Sequence, residues 1–346
     1  MQKIKTALLS YGMSGQVFHA PFLHLHPGFE LKGSWERSTR KIESDYPGVR
    51  SYPSLDAVLH DDVDLVIVNT PVATHFDYAK RALKAGKHVL VEKAFTANAA
   101  EAMELEALAD QKGLQLCVFQ NRRWDSDFQL VRNILREGVL GPIVEAELHF
   151  DRYNPNLSPK QHKETQNEGA GILKDLGSHL IDQALQLFGF PEGVFADLRA
   201  TRDQSVVDDC IDVLLYYPQT RVRIKAGYFV MEPQAAYVLH GKKGSFLKSR
   251  ADVQENDLKA GNRPTSHNWG YEPAGAEGIL HFDKGGILEK KKLGAPPGNY
   301  LHFFEALYQA LSTGGDVPVP ASDGVKTMRI IDAAIQSSAT KSYVAL

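Results

Sequence analysis

Ile4-Lys5-Thr6-Ala7-Leu8-Leu9-Ser10-Tyr11-Gly12-Met13-Ser14-Gly15 is the stretch on which the fold turns. A short apolar run breaks at once into a glycine-containing turn, which predicts a buried strand feeding a helix N-terminus. Such an N-terminus carries backbone N–H groups without intrahelical partners and binds phosphate oxygens well. Gly12 and Gly15, with Met13 and Ser14 between them, occupy the second and third glycine places of G-x-G-x-x-G, and Ser10 stands at the first. About twenty residues on, where this motif expects an acid, Glu36 ends a second apolar run and is placed to accept hydrogen bonds from ribose hydroxyls. Arg37, Ser38 and Arg40 follow it and suit a 2′-phosphate instead, so NAD and NADP both remain open.

Working outward, the first third alternates short apolar runs with helical patterns, the mark of a parallel sheet with crossover helices. Strands are predicted at Ile4 to Leu9, Phe29 to Glu36, Leu65 to Asn69, Val89 to Glu92 and Leu114 to Phe119. A helix between the last two is punctuated by Asn98 as N-cap, Glu101 three residues on, and Gly113 as terminator. After Asn121 the rhythm changes. Helices are expected from Ser126 to Glu137 and from Leu173 to Phe188, with strands at Ile143 to Tyr153, Val194 to Ala200, Cys210 to Tyr216, Arg221 to Val230 and Ala236 to His240. Successive strands joined by short turns imply an antiparallel sheet. Ala251 to Gly278 is polar and rich in Gly, Pro and Asn, and reads as a long loop. Helices at Tyr300 to Ser312 and Ser322 to Ser338 close the chain. The expected organisation is a dinucleotide-binding domain over 1–121 and a substrate-binding and oligomerisation domain over 122–346.

Composition is that of an ordinary soluble globular protein. The chain has 346 residues, 43% hydrophobic and 23% charged, and a formal charge of −3. That charge offers no electrostatic reason to bind nucleic acid or anionic lipid. Cys117 and Cys210 form no CxxC pair and have no metal-ligand spacing, so they read as free thiols in a reducing compartment. No apolar run approaches membrane-spanning length, and the expected location is the cytoplasm.

Two further clusters carry chemistry. Glu92-Lys93 ends a predicted parallel strand, the edge outside which ligands bind in open α/β sheets. Gly169-Ala170-Gly171 precedes a predicted helix on which Asp175 and His179 are four apart and share a face. Histidine, with an unperturbed pKa of about 6.5, suits removal of a hydroxyl proton as a carbinol gives up hydride. Asp182 is a second candidate to orient it, and the glycines would let a ligand approach the helix start. Arg122, Trp124, Tyr153 and Trp269 offer donors and aromatic faces for a polyhydroxylated ring, with burial in the core as the alternative for Trp124 and Tyr153. Trp269, in a polar stretch, reads as functional. His19 either caps the cofactor site or packs beneath it.

Taken together, Gly12-x-x-Gly15, Asn69-Thr70-Pro71 with Thr74-His75, Glu92-Lys93, and Gly169-x-Gly171-x-x-x-Asp175-x-x-x-His179 resemble the Gfo/Idh/MocA family over essentially the whole chain. Gly15 to Pro21, Gln120 to Asp125 and Leu176 to Gln183 resemble its NADP-dependent scyllo-inositol dehydrogenase branch. The resemblance implies an α/β fold: an N-terminal Rossmann domain plus a C-terminal α/β domain with an open, mostly antiparallel sheet. It adds Asn69, Thr70, Pro71 and His75 to the cofactor residues. It implies that Lys93 contacts the reacting hydroxyl, Asp175 positions substrate and His179 is the acid/base, in an NAD(P)-dependent dehydrogenase of a cyclic polyol or sugar that forms homo-oligomers. The same fold also hosts NAD-dependent glycosidases, and a non-catalytic dinucleotide sensor is a further alternative. One departure stands out: Ala94 follows Lys93 where the family usually has proline, which predicts a looser or differently shaped turn.

Overall fold

A computed structural model describes residues 3–159 and 164–346. The chain divides into two compact units, and not at a single cut. The first comprises Met1–Asn121, Gln254–Trp269 and Asn299–Val325; the second comprises Arg122–Val253, Gly270–Gly298 and Lys326–Leu346.

The first unit holds a six-stranded parallel sheet: β1 (Ile4–Leu8), β2 (Phe29–Trp35), β3 (Arg50–Tyr52), β4 (Leu65–Val68), β5 (His88–Val91) and β6 (Leu116–Val118). Their order is β3-β2-β1-β4-β5-β6, so the chain builds outward from β1 and then crosses back to β4. The crevice at that reversal, outside the strand ends, is where doubly wound sheets take ligands. All four residues of β4 are buried, as a strand covered on both faces requires. The helix Ala99–Lys112 has the expected caps: the Asn98 side chain accepts from the Glu101 N–H, and Gly113 is left-handed.

Two later segments complete this unit. The stretch expected to be a loop from Ala251 to Gly278 contains the helix Gln254–Lys259, which packs against the turn Gly15–His19. The helix Leu301–Thr313 buries Phe303 and Phe304, the latter stacked on Phe22 at 5.1 Å between ring centroids.

The second unit is built on a nine-stranded sheet: β7 (Ile143–Asp151), β8 (Gly193–Arg199), β9 (Cys210–Tyr216), β10 (Arg221–Gly227), β11 (Tyr237–Gly241), β12 (Gly244–Lys248), β13 (Gly278–Lys284), β14 (Ile287–Leu293) and β15 (Val344–Ala345). The order is β14-β13-β12-β11-β7-β10-β9-β8-β15, antiparallel except where β7 runs parallel to β10. Alternation is regular on β10, where Val222, Ile224 and Ala226 are buried while Arg221 and Arg223 are exposed. The helix Ser178–Phe188 packs on β7 and β10. Among the described residues, no helix is long and apolar enough to cross a membrane.

Candidate functional site

In the first unit a cavity of about 610 Å³ opens beside the carboxyl ends of β1, β2 and β4. Gly12, Met13, Glu36, Arg37, Ser38, Thr70 and Pro71, all expected to be cofactor residues, line it, as does Tyr11 of the same turn; Trp35, Thr39, Lys41 and Tyr78 also line it and were not anticipated. The two glycines of the turn do different work. A Cβ on Gly15 would lie 2.5 Å from the Ser10 carbonyl oxygen, so glycine is needed there for helix and strand to meet. A Cβ on Gly12 would meet nothing closer than the Ser10 hydroxyl at 3.5 Å, so the space beside it is free for a ligand. Ser10, in place of the first glycine, accepts the Gly12 N–H on its hydroxyl at 3.2 Å. Asn69 holds the turn from below: its Oδ1 accepts the Ser10 N–H at 3.0 Å, and its Nδ2 donates to the Ser10 carbonyl at 2.7 Å. Backbone donors, an open glycine and a cavity of this size fit a dinucleotide.

Glu36 behaves otherwise than the motif suggests. Its carboxylate accepts from the Thr39 hydroxyl at 2.7 Å, the Lys41 N–H at 3.0 Å, the Ile42 N–H at 3.2 Å and the Ser51 hydroxyl at 3.1 Å. A carboxylate has about four lone-pair sites, and the segment Thr39 to Ile42 together with Ser51 of β3 takes them up.

Glu92 follows β5. Its Oε1 accepts the Ser14 hydroxyl and the His19 Nε2 proton, the latter at 2.9 Å, and its Oε2 accepts the Lys93 N–H at 3.2 Å. Burial pushes this carboxyl up, but the hydrogen bond and electrostatic attraction of His19, the hydrogen bond from Ser14 and the positive charge of Lys93 outweigh it and hold it below the usual range. His75 is buried, with Nε2 2.8 Å from the Thr70 carbonyl and Nδ1 3.0 Å from that of Ala94. Ala94 is buried and joined to Lys93 by a cis peptide bond.

In the second unit the predicted single helix from Leu173 to Phe188 begins as a π-helical turn, Leu173–Gly177, and continues as α-helix from Ser178. Asp175 is half-buried on the π turn, and His179 is buried in the first α turn. The glycine before them does not wait for a ligand. Gly171 has φ +93°, and a Cβ there would lie 2.0 Å from Asp208 Oδ1, because the Asp208 carboxylate fills that space and accepts the Leu173 N–H at 2.7 Å. Burial, partly offset by that bond, raises the Asp208 carboxyl above its ordinary range. Asp182 accepts two hydrogen bonds from the Arg123 guanidinium, at 2.9 and 2.6 Å, inside the core. Tyr228 is pushed up to about 12, chiefly by burial and then by the charge of Asp175.

The other substrate candidates divide. Arg122 pairs with Asp125 at 3.2 Å and lies 5.0 Å over the Phe150 ring. Trp124 is half-buried, and Tyr153 is 52% exposed, which removes the core reading for Tyr153. Trp269 is buried, with its indole N–H lacking a hydrogen-bond partner, against the expectation of an accessible loop residue.

Comparison with known proteins agrees with this geometry. The oxidoreductase family's NAD-binding Rossmann fold matches residues 4–120, and the C-terminal alpha/beta domain of the same family matches residues 132–346. The chain belongs to the Gfo/Idh/MocA oxidoreductase family. It is an NAD(P)-dependent oxidoreductase. Family members similar to it include the uncharacterized oxidoreductase YdgJ of Escherichia coli (strain K12), 38% identical over 99% of both chains. The scyllo-inositol 2-dehydrogenase (NADP(+)) IolW of Bacillus subtilis (strain 168) is 34% identical over 99% of this chain and 96% of its own. Among solved structures, that of yvaA from Bacillus subtilis superposes with a TM-score of 0.97 at 34% identity, covering 100% of this chain and 99% of the other.

Of the lining residues of this Gfo/Idh/MocA member that escaped notice, Thr39 and Lys41 had a signal in the polar, basic run Arg37 to Lys41. Tyr78 had none, and neither did Asp208, which lies outside this cavity beside Gly171; each reaches its place from a distant element.

Proposed function

We propose that the protein transfers hydride between NADP and a carbinol of a cyclic polyol or sugar, such as an inositol. The observation that carries the cofactor choice is the fate of Glu36. An acid that favours NAD does so by accepting ribose hydroxyls, and this one is already filled by Thr39, Lys41, Ile42 and Ser51. What remains at that end of the cavity is cationic and hydroxylic: Arg37, Ser38, Thr39 and Lys41. A 2′-phosphate brings nearly two negative charges to such a lip and pairs with guanidinium in a bidentate fashion. The likeness to a relative named as a scyllo-inositol dehydrogenase supports the polyol class.

When bound, the nicotinamide supplies a two-electron hydride acceptor. The chain's residues supply the rest. Lys93 donates to the reacting oxygen, Asp175 orients neighbouring hydroxyls, and His179 takes the hydroxyl proton as the carbon loses hydride. Arg122, Trp124 and Tyr153 are proposed to shape substrate choice. The polar face of the nine-stranded sheet, with Phe195 exposed among charged residues, is proposed to bury itself against a second copy of the chain.

A panel of inositols and aldoses, each offered with NAD and with NADP, tests this reading by absorbance of the reduced nicotinamide. NADP-dependent signal with at least one cyclic polyol or sugar is expected. Release of a chromogenic aglycone with no reduced-nicotinamide band, or signal with NAD alone, contradicts it.

A further inference from the structure

Ser14, His19, Glu92 and Lys93 form a small network inside the first unit. His19 is fully buried, its ring 4.4 Å from that of Phe119 and edge-on to Phe304 at 6.3 Å. Its Nδ1 has no hydrogen-bond partner, while Nε2 lies 2.9 Å from Glu92 Oε1. For a neutral ring these two facts select the tautomer. A proton on Nδ1 would be stranded among aromatic rings and would leave a lone pair of Nε2 facing a carboxylate, so the proton sits on Nε2 and points at Glu92. The same carboxylate receives the hydroxyl of Ser14, in the glycine turn, and the backbone N–H of Lys93.

We propose that His19 is a positioning residue: by pinning Glu92, it couples the phosphate turn at Ser14 to the backbone of Lys93. The proposal rests on the hydride-transfer reading only in its kinetic arm. A carboxylate with three donors aimed at it has one low-energy position, and that position fixes the start of the Lys93 side chain. Displacing a reacting contact by even an ångström costs turnover. The groups facing Glu92 are Ser14 and His19 from the turn and its helix, Lys93 beside it, and His75 from the helix His75–Lys84, whose pKa burial lowers. Without the His19 donor, burial acts on Glu92 with less opposition, and the carboxyl takes up a proton at higher pH. A protonated Glu92 donates where it previously accepted: a proton on Oε1 forces the Ser14 hydroxyl to turn and accept, and a proton on Oε2 loses the bond from the Lys93 N–H.

Two variants separate the donor from the ring. His19→Phe keeps the aromatic packing and loses the N–H; His19→Gln carries an amide N–H to about the place of Nε2. Melting of the free protein, NADP affinity followed by Trp35 fluorescence, and kcat and KM for the polyol are measured between roughly pH 5 and 8. His19→Gln is expected to stay near wild type in all three. His19→Phe is expected to lose about tenfold in kcat with KM little changed, and the acid limb of NADP affinity and of kcat/KM moves up by about one unit or more. Equal pH profiles in His19→Phe and wild type overturn the proposal, as does a His19→Gln variant that falls alongside His19→Phe. If His19→Phe does not fold, Glu92→Gln decides: it should lose kcat without the acid limb, and wild-type kcat there overturns the proposal. If the wild type oxidises no polyol or sugar, the functional reading fails, and the pH dependence of NADP affinity still decides the role of His19.

Discussion

The turn at residues 10–15 and the turn at residues 169–179 look alike in sequence and differ in use. Each places two glycines at the start of a helix, and each helix has a π-helical first turn, Gly15–His19 in one and Leu173–Gly177 in the other. Beside Gly12 the space is open and belongs to the cavity. Beside Gly171 it is filled by Asp208 from the chain itself. One turn is the proposed socket for phosphate; the other is locked internally at Gly171, ahead of Asp175 and His179. Glycine before a helix therefore signals close approach, and only the surroundings say whether a ligand or a carboxylate does the approaching. π turns often occur at functional sites, and here both kinds of turn carry one.

If that division is right, the second turn does chemistry and the first does binding. His179→Ala should lose on the order of 10²- to 10⁴-fold in kcat while NADP affinity, measured by calorimetry, stays near wild type. A large loss of affinity would erase the division. Exchanging the glycines sharpens it. Gly12→Ala should weaken NADP binding at least about tenfold, since a methyl group enters the phosphate path, with the melting temperature unchanged. Gly171→Ala should do the reverse, costing about 1–3 kcal/mol of stability through its left-handed backbone and the contact with Asp208. Thermal melts and titrations of the pair, side by side, read both effects.

Smaller effects follow from the groups under the first turn. Asn69→Ala removes both hydrogen bonds to Ser10 and should cost about 1–3 kcal/mol, seen as a lower urea midpoint. His75 gives the weakest signal. Burial lowers its pKa below the ordinary 6.5, so the unfolded chain binds the proton more tightly. The stability of the neutral ring is therefore complete above pH 6.5 and declines as pH falls below it toward the folded-state value. Urea midpoints should drop on acidification through that window, and less steeply in His75→Gln.

Much of the architecture was legible because local physics wrote it. The run Leu65 to Val68 announced a doubly covered strand, and Asn98 with Gly113 announced both ends of a helix. β3 was missed because three residues at a sheet edge carry no periodicity. β13 and β14 were missed because exposed positions such as Ile287, Leu288 and Lys290 blur the alternation. The helix Gln254–Lys259 was hidden by its polarity, and its membership of the first unit is a long-range fact. The candidate site shows the same limit. Glu36 was rightly placed at the end of β2, but the direction of its carboxylate depends on Ser51, fifteen residues away. Asp208, which fills the space at Gly171, sits on no motif at all. Residue types and spacing identify who is present at a site; distant partners decide what each group is free to do.

The central claim is that the Gly12 turn and the Arg37 lip form a socket for a 2′-phosphorylated dinucleotide. Calorimetric titration of the unmodified protein with NADP and with NAD tests it most directly. One site per chain, with NADP bound at least about tenfold more tightly and the preference shrinking as salt screens the phosphate, is the predicted result. Equal affinities, or tighter binding of NAD, would contradict it.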